Sequence, residues 1–293
     1  MKVNPNPIYR QEVKVSSRSF KLPLIIFLYN GILALVALLD MYAMITQVRI
    51  TAEIQYSSFL SLYFLGASIE FIMLLLIVPA LTSGSISGER ERQTLNLLLT
   101  TRMKPRDIVL GKLFSGLSTV FVLIVSSFPM LSLVFIYGGV TGKDIIMLLA
   151  SLLSTAILSG CVGICCSSFF KKSTIATAAS YCAIAVLVFG TTALSRFWTS
   201  LESVSGGQGA ENGMGRYLLL FNPAVSFGTA MKSQLGNLRR SSALRMWLVG
   251  DSQGFLSRYW LWISVGMQLM VAGLCLWAAI GQVNPRKRQK WEG

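Results

Sequence analysis

The chain has 293 residues, of which 53% are hydrophobic and 13% charged, and its mean hydropathy is +0.61. A soluble domain carries about a quarter charged residues, so this chain lacks the polar groups to cover a surface facing water and its solvent must be lipid. The net charge of +14, from 26 Lys and Arg against 12 Asp and Glu, falls in short clusters beside apolar runs, which marks membrane topology rather than nucleic-acid binding.

The chain opens with a polar tail, residues 1–21, which carries Pro5 and Pro7. The apolar run after it is too long for the core of a signal peptide and has no small-residue cleavage site, so it reads as a retained first span. A span needs roughly 20 apolar residues to cross about 30 Å of hydrocarbon. Six segments meet that length: Leu22–Ile45, Phe59–Leu81, Leu113–Tyr137, Ile145–Phe169, Thr174–Leu194 and Tyr259–Ile280. Each must be helical, because lipid offers its backbone no hydrogen bonds. The expected fold class is therefore an all-α integral membrane protein with six transmembrane helices in a single domain.

Two carboxylates fall inside spans: Asp40 towards the outer end of the first and Glu70 near the middle of the second. Such groups are costly and by default mark a pathway, a proton site or a paired charge; a hydrogen bond between helices is the structural alternative for Glu70, and snorkelling to the interface that for Asp40. Ser159, Gly160 and Gly163 give the fourth span a small-residue strip suited to close helix packing. Tyr9, Tyr29, Tyr42, Tyr56, Trp260 and Trp262 read as aromatic belts near span ends. The five cysteines, Cys161, Cys165, Cys166, Cys182 and Cys275, form no CxxC pair, and the chain has no histidine; they read as small buried hydrophobes, and no metal site is expected.

The connection between the second and third spans, residues 82–112, is the most informative stretch. Gly84, Ser85, Ser87 and Gly88 break the end of span two. The charged run Glu89-Arg90-Glu91-Arg92 follows, then the apolar stripe Leu95, Leu97, Leu98 and Leu99, then Pro105 and a second helical start. This predicts a short amphipathic helix at the membrane surface. From the residues alone, a solvated hairpin whose charges set topology is the simpler reading.

The string from Ile86 to Lys112 resembles the intracellular signature of ABC-2 type permeases, the membrane subunits of many bacterial ATP-binding cassette exporters. The match runs through Ile86, Gly88, Glu89, Arg90, Glu91, Thr94, Leu95, Leu97, Leu98, Leu99, Thr101, Ile108, Leu110, Gly111 and Lys112. The chain departs from that signature at Gln93, where glycine is common, at Asn96, where glutamate is common, and at Arg102, where proline is common. Residues 6–12 resemble the family's N-terminal interfacial elbow helix, and Asn222-Pro223 also has counterparts there.

The resemblance implies a cytoplasmic coupling helix that docks into a separate ABC ATPase, with Gly88, Glu89, Arg90, Glu91, Arg92, Thr94, Leu95 and Leu98 at or behind that contact. It implies a second copy of the permease or a homologous one beside it, and export as the direction of transport. No P-loop is present: Gly142-Lys143 and Gly111-Lys112 lack the following Ser or Thr. ATP and Mg are therefore expected on the partner, and this chain is expected to have no enzymatic activity of its own. A secondary transporter or channel using Glu70, or a membrane scaffold that recruits a soluble partner through residues 86–112, are the alternatives. The substrate is not legible.

Lys and Arg set the orientation. Lys2, Arg10, Lys14, Arg18 and Lys21, the six between Arg90 and Lys112, Lys171 and Lys172, and Arg286, Lys287, Arg288 and Lys290 all share one side. The opposite side holds Arg49, Lys143 and a basic loop, residues 196–258, with a glycine-rich half and a stretch that could hold a short interfacial helix. Loops of about 60 residues largely escape the positive-inside rule. Both termini, including the tail 281–293, are therefore expected in the cytoplasm, with the protein multi-pass in the plasma membrane. In a cysteine-free background, cysteines at Gly139 and Gly207 should react with an impermeant thiol reagent from outside, and one at Lys104 should not. External labelling at Lys104 would reverse the orientation.

Overall fold

The computed structural model describes residues 20–51, 56–93, 105–137, 141–204, 215–232 and 259–283. Among them the secondary structure is helical throughout, in keeping with apolar runs that must satisfy their backbones internally. The helices are α1 (Lys21–Thr51), α2 (Tyr56–Ser83), α3 (Ser87–Glu91), α4 (Pro105–Tyr137), α5 (Gly142–Phe169), α6 (Ser173–Ala185), α7 (Thr191–Val204), α8 (Gly215–Leu218), α9 (Pro223–Lys232) and α10 (Trp260–Val283). A π-helical turn, Val186–Gly190, joins α6 to α7, and a 3₁₀ turn, Leu219–Phe221, follows α8. Six helical segments are long and apolar enough to cross a membrane, at the six places expected from sequence.

Several helices outrun the expected spans. The fourth helix starts at Pro105 instead of Leu113, because Ile108 and Val109 are fully buried against the bundle and reward two more turns; proline opens it, where its missing N–H costs nothing. The fifth span continues through the π turn to Val204, so Arg196 lies on a helix and not at the start of a loop.

Helix α5 is the central element and the most buried span. It packs on α2, α4, α6, α9 and α10. Its small-residue strip makes this possible: Ser159, Gly160 and Gly163 are all buried. A Cβ on Gly160 would lie about 3.5 Å from Leu113 and Leu117 of α4 and 3.6 Å from Val78 of α2. At Gly163 a Cβ would overlap the Thr82 hydroxyl and lie 3.1 Å from Thr82 Cβ, so turning the threonine does not clear the clash. Three of the cysteines, Cys161, Cys165 and Cys166, lie on α5 close to Cys275 of α10, all as free thiols.

Part of the apolar stretch expected to hold an interfacial helix, residues 217–232, packs into the bundle; the remainder up to residue 247 lies outside the described residues. Residues 222–228 are all buried, and Phe227 stacks on Phe71 of α2 with ring centroids 4.6 Å apart. Helix α9 thus packs among α2, α5 and α10. Its anchor is Asn222, which is fully buried. The Asn222 Oδ1 accepts from the Ala224 amide at 2.9 Å, capping α9 ahead of Pro223, while Nδ2 donates to the Val188 carbonyl at 2.8 Å and to Thr191 Oγ1 at 2.8 Å. That carbonyl, within the π turn, also accepts from the Thr192 hydroxyl at 3.1 Å. Gln268 of α10 donates to Ser226 Oγ at 3.0 Å, and Ser264 donates to the Leu220 carbonyl at 2.7 Å, closing the other side.

Helix α1 is mostly exposed and touches the bundle along one strip, Tyr29 and Leu33 against Leu123 of α4. Tyr29 therefore leaves the expected aromatic belt: its ring is 1% exposed. Trp260 is also buried, against Leu220 and Val225, with the Arg216 guanidinium 5.2 Å above its ring. Tyr42 and Trp262 stay exposed.

Replacing Gly163 by Ala should destabilise the protein by about 1–3 kcal/mol, the usual cost of overpacking a tight core. Gly266 of α10 has nothing within 4 Å of a Cβ, and its replacement by Ala should leave the unfolding midpoint unchanged or slightly raised. Thermal denaturation in detergent checks both.

Candidate functional site

The charged run of the second connection folds where four helices end. Helix α2 stops at Ser83, three residues turn, and α3 begins at Ser87. Serines carry out the turn: Ser85 Oγ donates to the Thr82 carbonyl at 2.7 Å and Ser87 Oγ to the Ser83 carbonyl at 3.0 Å. The buried amides of Ile86 and Ser87 both donate to Ser167 Oγ of α5 at 2.9 Å. The start of α3, whose first amides have no intrahelical partner, is thus held by a side chain of another span.

Three consecutive residues then reach three different helices. Glu89 faces Lys112 of α4, with Oε1 and Nζ 3.4 Å apart; Lys112 is 6% exposed and Glu89 30%. Arg90 donates to the Ser168 carbonyl at 3.0 Å and to the Phe170 carbonyl at 3.3 Å, at the C-terminal end of α5. Glu91 accepts from the Ser173 amide at 2.9 Å and from its hydroxyl at 2.8 Å, at the N-terminal end of α6. Arg90 and Glu91 each meet the helix end whose dipole it complements. For a partly buried guanidinium at a helix C-terminus this is worth up to about 2 kcal/mol. In α-helix geometry successive side chains point about 100° apart, so one short helix can address three neighbours.

The helix ends at Arg92 and Gln93. Gln93 has φ 58, the one positive value at a non-glycine residue among the described residues, and its amide donates to the Arg90 carbonyl at 3.1 Å. This is a left-handed helix stop, a position that favours glycine. The departure from the family signature at Gln93 therefore leaves the turn intact.

Gly88 and Arg92 line a polar cavity of about 350 Å³ between α2, α3 and α4. Thr94, Leu95 and Leu98, and the segment 6–12, lie outside the described residues.

The intramembrane carboxylates are separate from this site and from each other. Glu70 is 1% exposed and its Oε1 accepts from Ser127 Oγ of α4 at 2.7 Å. The Tyr29 hydroxyl of α1 lies beside the same carboxyl. Among the described residues, neither that hydroxyl nor Glu70 Oε2 closes a hydrogen bond. Asn30 adds a second tie, donating to Ser126 Oγ at 2.9 Å. Asp40, half-buried on α1, lies eleven residues beyond Tyr29, roughly 16 Å along the helix. Among the described residues no group of three or more His, Cys, Asp or Glu has the geometry to hold a metal ion.

Sequence reasoning identified Glu89, Arg90 and Glu91 but not what they bond to. Ser167, Ser168 and Ser173 carry the other half of the site; the polar pair Ser167-Ser168 closing an apolar span is the signal that could have found them.

The bundle of six apolar helices among the described residues is that of a multi-pass membrane protein. A family model described as ABC-2 family transporter protein matches residues 6–280, and the chain belongs to that family. No curated protein matches it. The chain is therefore a multi-pass membrane protein and a permease component of an ABC transporter, a class that is generally not itself catalytic.

Replacing Gln93 by Gly should be neutral or stabilising by up to about 1 kcal/mol, because the left-handed backbone costs glycine nothing and other residues roughly that much. Replacing it by Val should destabilise, since a β-branched residue fits that backbone worst. Unfolding midpoints of the two variants check the turn.

Proposed function

We propose that the chain forms the translocation pathway of an ATP-driven exporter, in the plasma membrane with both termini cytoplasmic, and that α3 transmits motion from a separate cytoplasmic ATPase. A second permease, identical or homologous, completes the pathway, and ATP and Mg bind the partner ATPases. The observation that carries this reading is the tie of Glu89, Arg90 and Glu91 to α4, α5 and α6. A solvated hairpin that only set topology would need none of these bonds. A short helix bound to three spans moves them together when it is pushed, which is what coupling to an external motor requires.

Within this reading the eight coupling residues divide by task. Glu89, Arg90 and Glu91 are transmission residues, because their side chains face the protein's own helices. Gly88 lines the cavity between α3 and α4. The stripe at Leu95 and Leu98, with Thr94 before it and Arg92 on the exposed side, supplies the surface that docks in the ATPase, since apolar groups fill a groove and flanking charge sets register. Residues 6–12, outside the described residues, take the part of the family's elbow in this proposal.

Glu70 serves as a structural interlock in this proposal. Its carboxyl lies between α1, α2 and α4, whose contacts include the Asn30–Ser126 bond, and that placement favours holding α1 in position over a secondary-transport site.

The test is coexpression of the tagged chain with the ABC ATPase of the same host. The ATPase should copurify, and the chain alone should neither bind nor hydrolyse ATP. Arg90→Ala and Glu91→Ala should retain the ATPase but lose most substrate-stimulated hydrolysis. Turnover by the rigorously purified chain would remove the exporter-subunit reading, and loss of ATPase association in both variants at equal membrane expression would make these residues docking groups instead.

A further inference from the structure

We propose that Cys165 of α5 and Cys275 of α10 are a site of reversible oxidation, where a disulfide bond ties the two helices together. Four of the five free cysteines meet at this seam: Cys161, Cys165 and Cys166 come from α5 and lie close to Cys275 of the last span. Helices α5 and α10 form the most extensive helix pair among the described residues, so the fold and not the local sequence assembles the group. The thiols of Cys165 and Cys275 are within hydrogen-bonding reach of each other. Cys161 is buried, whereas Cys165 and Cys275 are half-buried, so a small molecule can reach both members of the pair.

Helix geometry leaves one pairing. Cys161 and Cys165 stand one turn apart, which separates their Cβ atoms by about 5–6 Å, beyond the roughly 3.5–4.5 Å that a disulfide spans. Cys165 and Cys166 are neighbours in sequence, and their side chains point about 100° apart. Cys161 and Cys166 point about 140° apart. A bond must therefore cross to α10. There Cys275 has Cys165 in hydrogen-bonding reach, while Cys161 and Cys166 lie near it without such a bond. A thiolate-bound metal would take three or four converging ligands, and among the described residues no such group has the geometry. Two thiols in contact suit disulfide chemistry instead.

The oxidant is a peroxide, which is small and uncharged. The thiolate of one cysteine attacks a peroxide oxygen; the O–O bond breaks, leaving a sulfenic acid, and the released hydroxide takes up the thiol proton as water. The second sulfur then attacks the sulfenic sulfur. The S–S bond forms, the S–O bond breaks, and hydroxide leaves with the second thiol proton as another water. Two electrons have passed from the sulfurs to the peroxide, and a dithiol returns them by thiol–disulfide exchange. Cys165 closely precedes Ser167 and Ser168, which receive α3. The bond pins that end of α5 to the last span, so oxidation should restrain coupling, a consequence that rests on the role proposed above for α3.

The experiment treats the full chain, purified in detergent, with hydrogen peroxide, blocks the remaining thiols and maps an unreduced digest by mass spectrometry. Wild type should lose two of its five free thiols to a peptide linked through Cys165 and Cys275, which dithiothreitol removes. The link should form roughly tenfold faster than in the same chain denatured in dodecyl sulfate, because folding holds the pair together. Cys165→Ser and Cys275→Ser should each abolish it, and a chain that keeps only those two cysteines should still form it. All five thiols free after treatment, a link through Cys166 or between chains, or equal rates in the folded and denatured chain would overturn the proposal. The bond is read in the chain alone, so it stands or falls independently of the ATPase. In the copurified complex, peroxide should lower substrate-stimulated hydrolysis several-fold and dithiothreitol should restore it, in wild type but not in Cys275→Ser. Unchanged hydrolysis by the fully cross-linked complex would overturn the restraint on coupling and leave the bond in place.

Discussion

Hydrocarbon offers no hydrogen bonds, so every polar group inside this bundle has to be answered by the protein itself. Most are answered locally: Ser151, Thr155 and Ser159 each return a hydroxyl to a carbonyl one turn back on α5. The few that are answered across helices decide how the helices sit. Asn222 fastens α9 to the π turn of the fifth span, Gln268 fastens it to the last, Asn30 and Glu70 hold α1 and α2 against α4, and Ser167 receives the start of α3. Between these points the contacts are apolar and close, and glycine at positions 160 and 163 brings the backbones of α2, α4 and α5 together.

The six spans were legible because a run of about 20 apolar residues has few other physical meanings. Their ends were less so. Hydropathy ends where the hydrocarbon ends, whereas α4 and the fifth span continue as helices because neighbouring elements bury Ile108 and Val109 in one case and Ser195 in the other. The placement of the segment 215–232 was not legible for a related reason. Its apolar content is too short to span and fits either an interfacial helix or an inserted one; only Phe71, Asn222 and the π turn, far apart in sequence, decide between them. Tyr29 shows the same limit. A tyrosine near a span end fits an aromatic belt, but it shares a helix face with Leu33, and that face packs against α4.

At the charged helix the residue types were legible and their direction was not. A run of alternating acid and base beside a membrane fits a solvated face as well as it fits a docking surface. What distinguishes the actual arrangement is that a carboxylate meets a helix N-terminus and a guanidinium meets a helix C-terminus, both at the same tight turn, residues 170–172. That complementarity depends on where α5 ends and α6 begins, which no local pattern around Glu89 contains.

The geometry also limits how force can pass through this end of the molecule. A bond between Arg90 and two carbonyls is directional, and so is the paired acceptance of Glu91 at Ser173. Two such bonds on adjacent residues fix both the position and the rotation of α3 relative to the α5–α6 turn, whereas the apolar contact of Ile86 fixes position alone. Glu89 and Lys112 form the looser tie, at 3.4 Å and beside the polar cavity. In the proposed exporter, motion delivered to α3 would therefore carry α5 and α6 as one body and load the Glu89–Lys112 pair first.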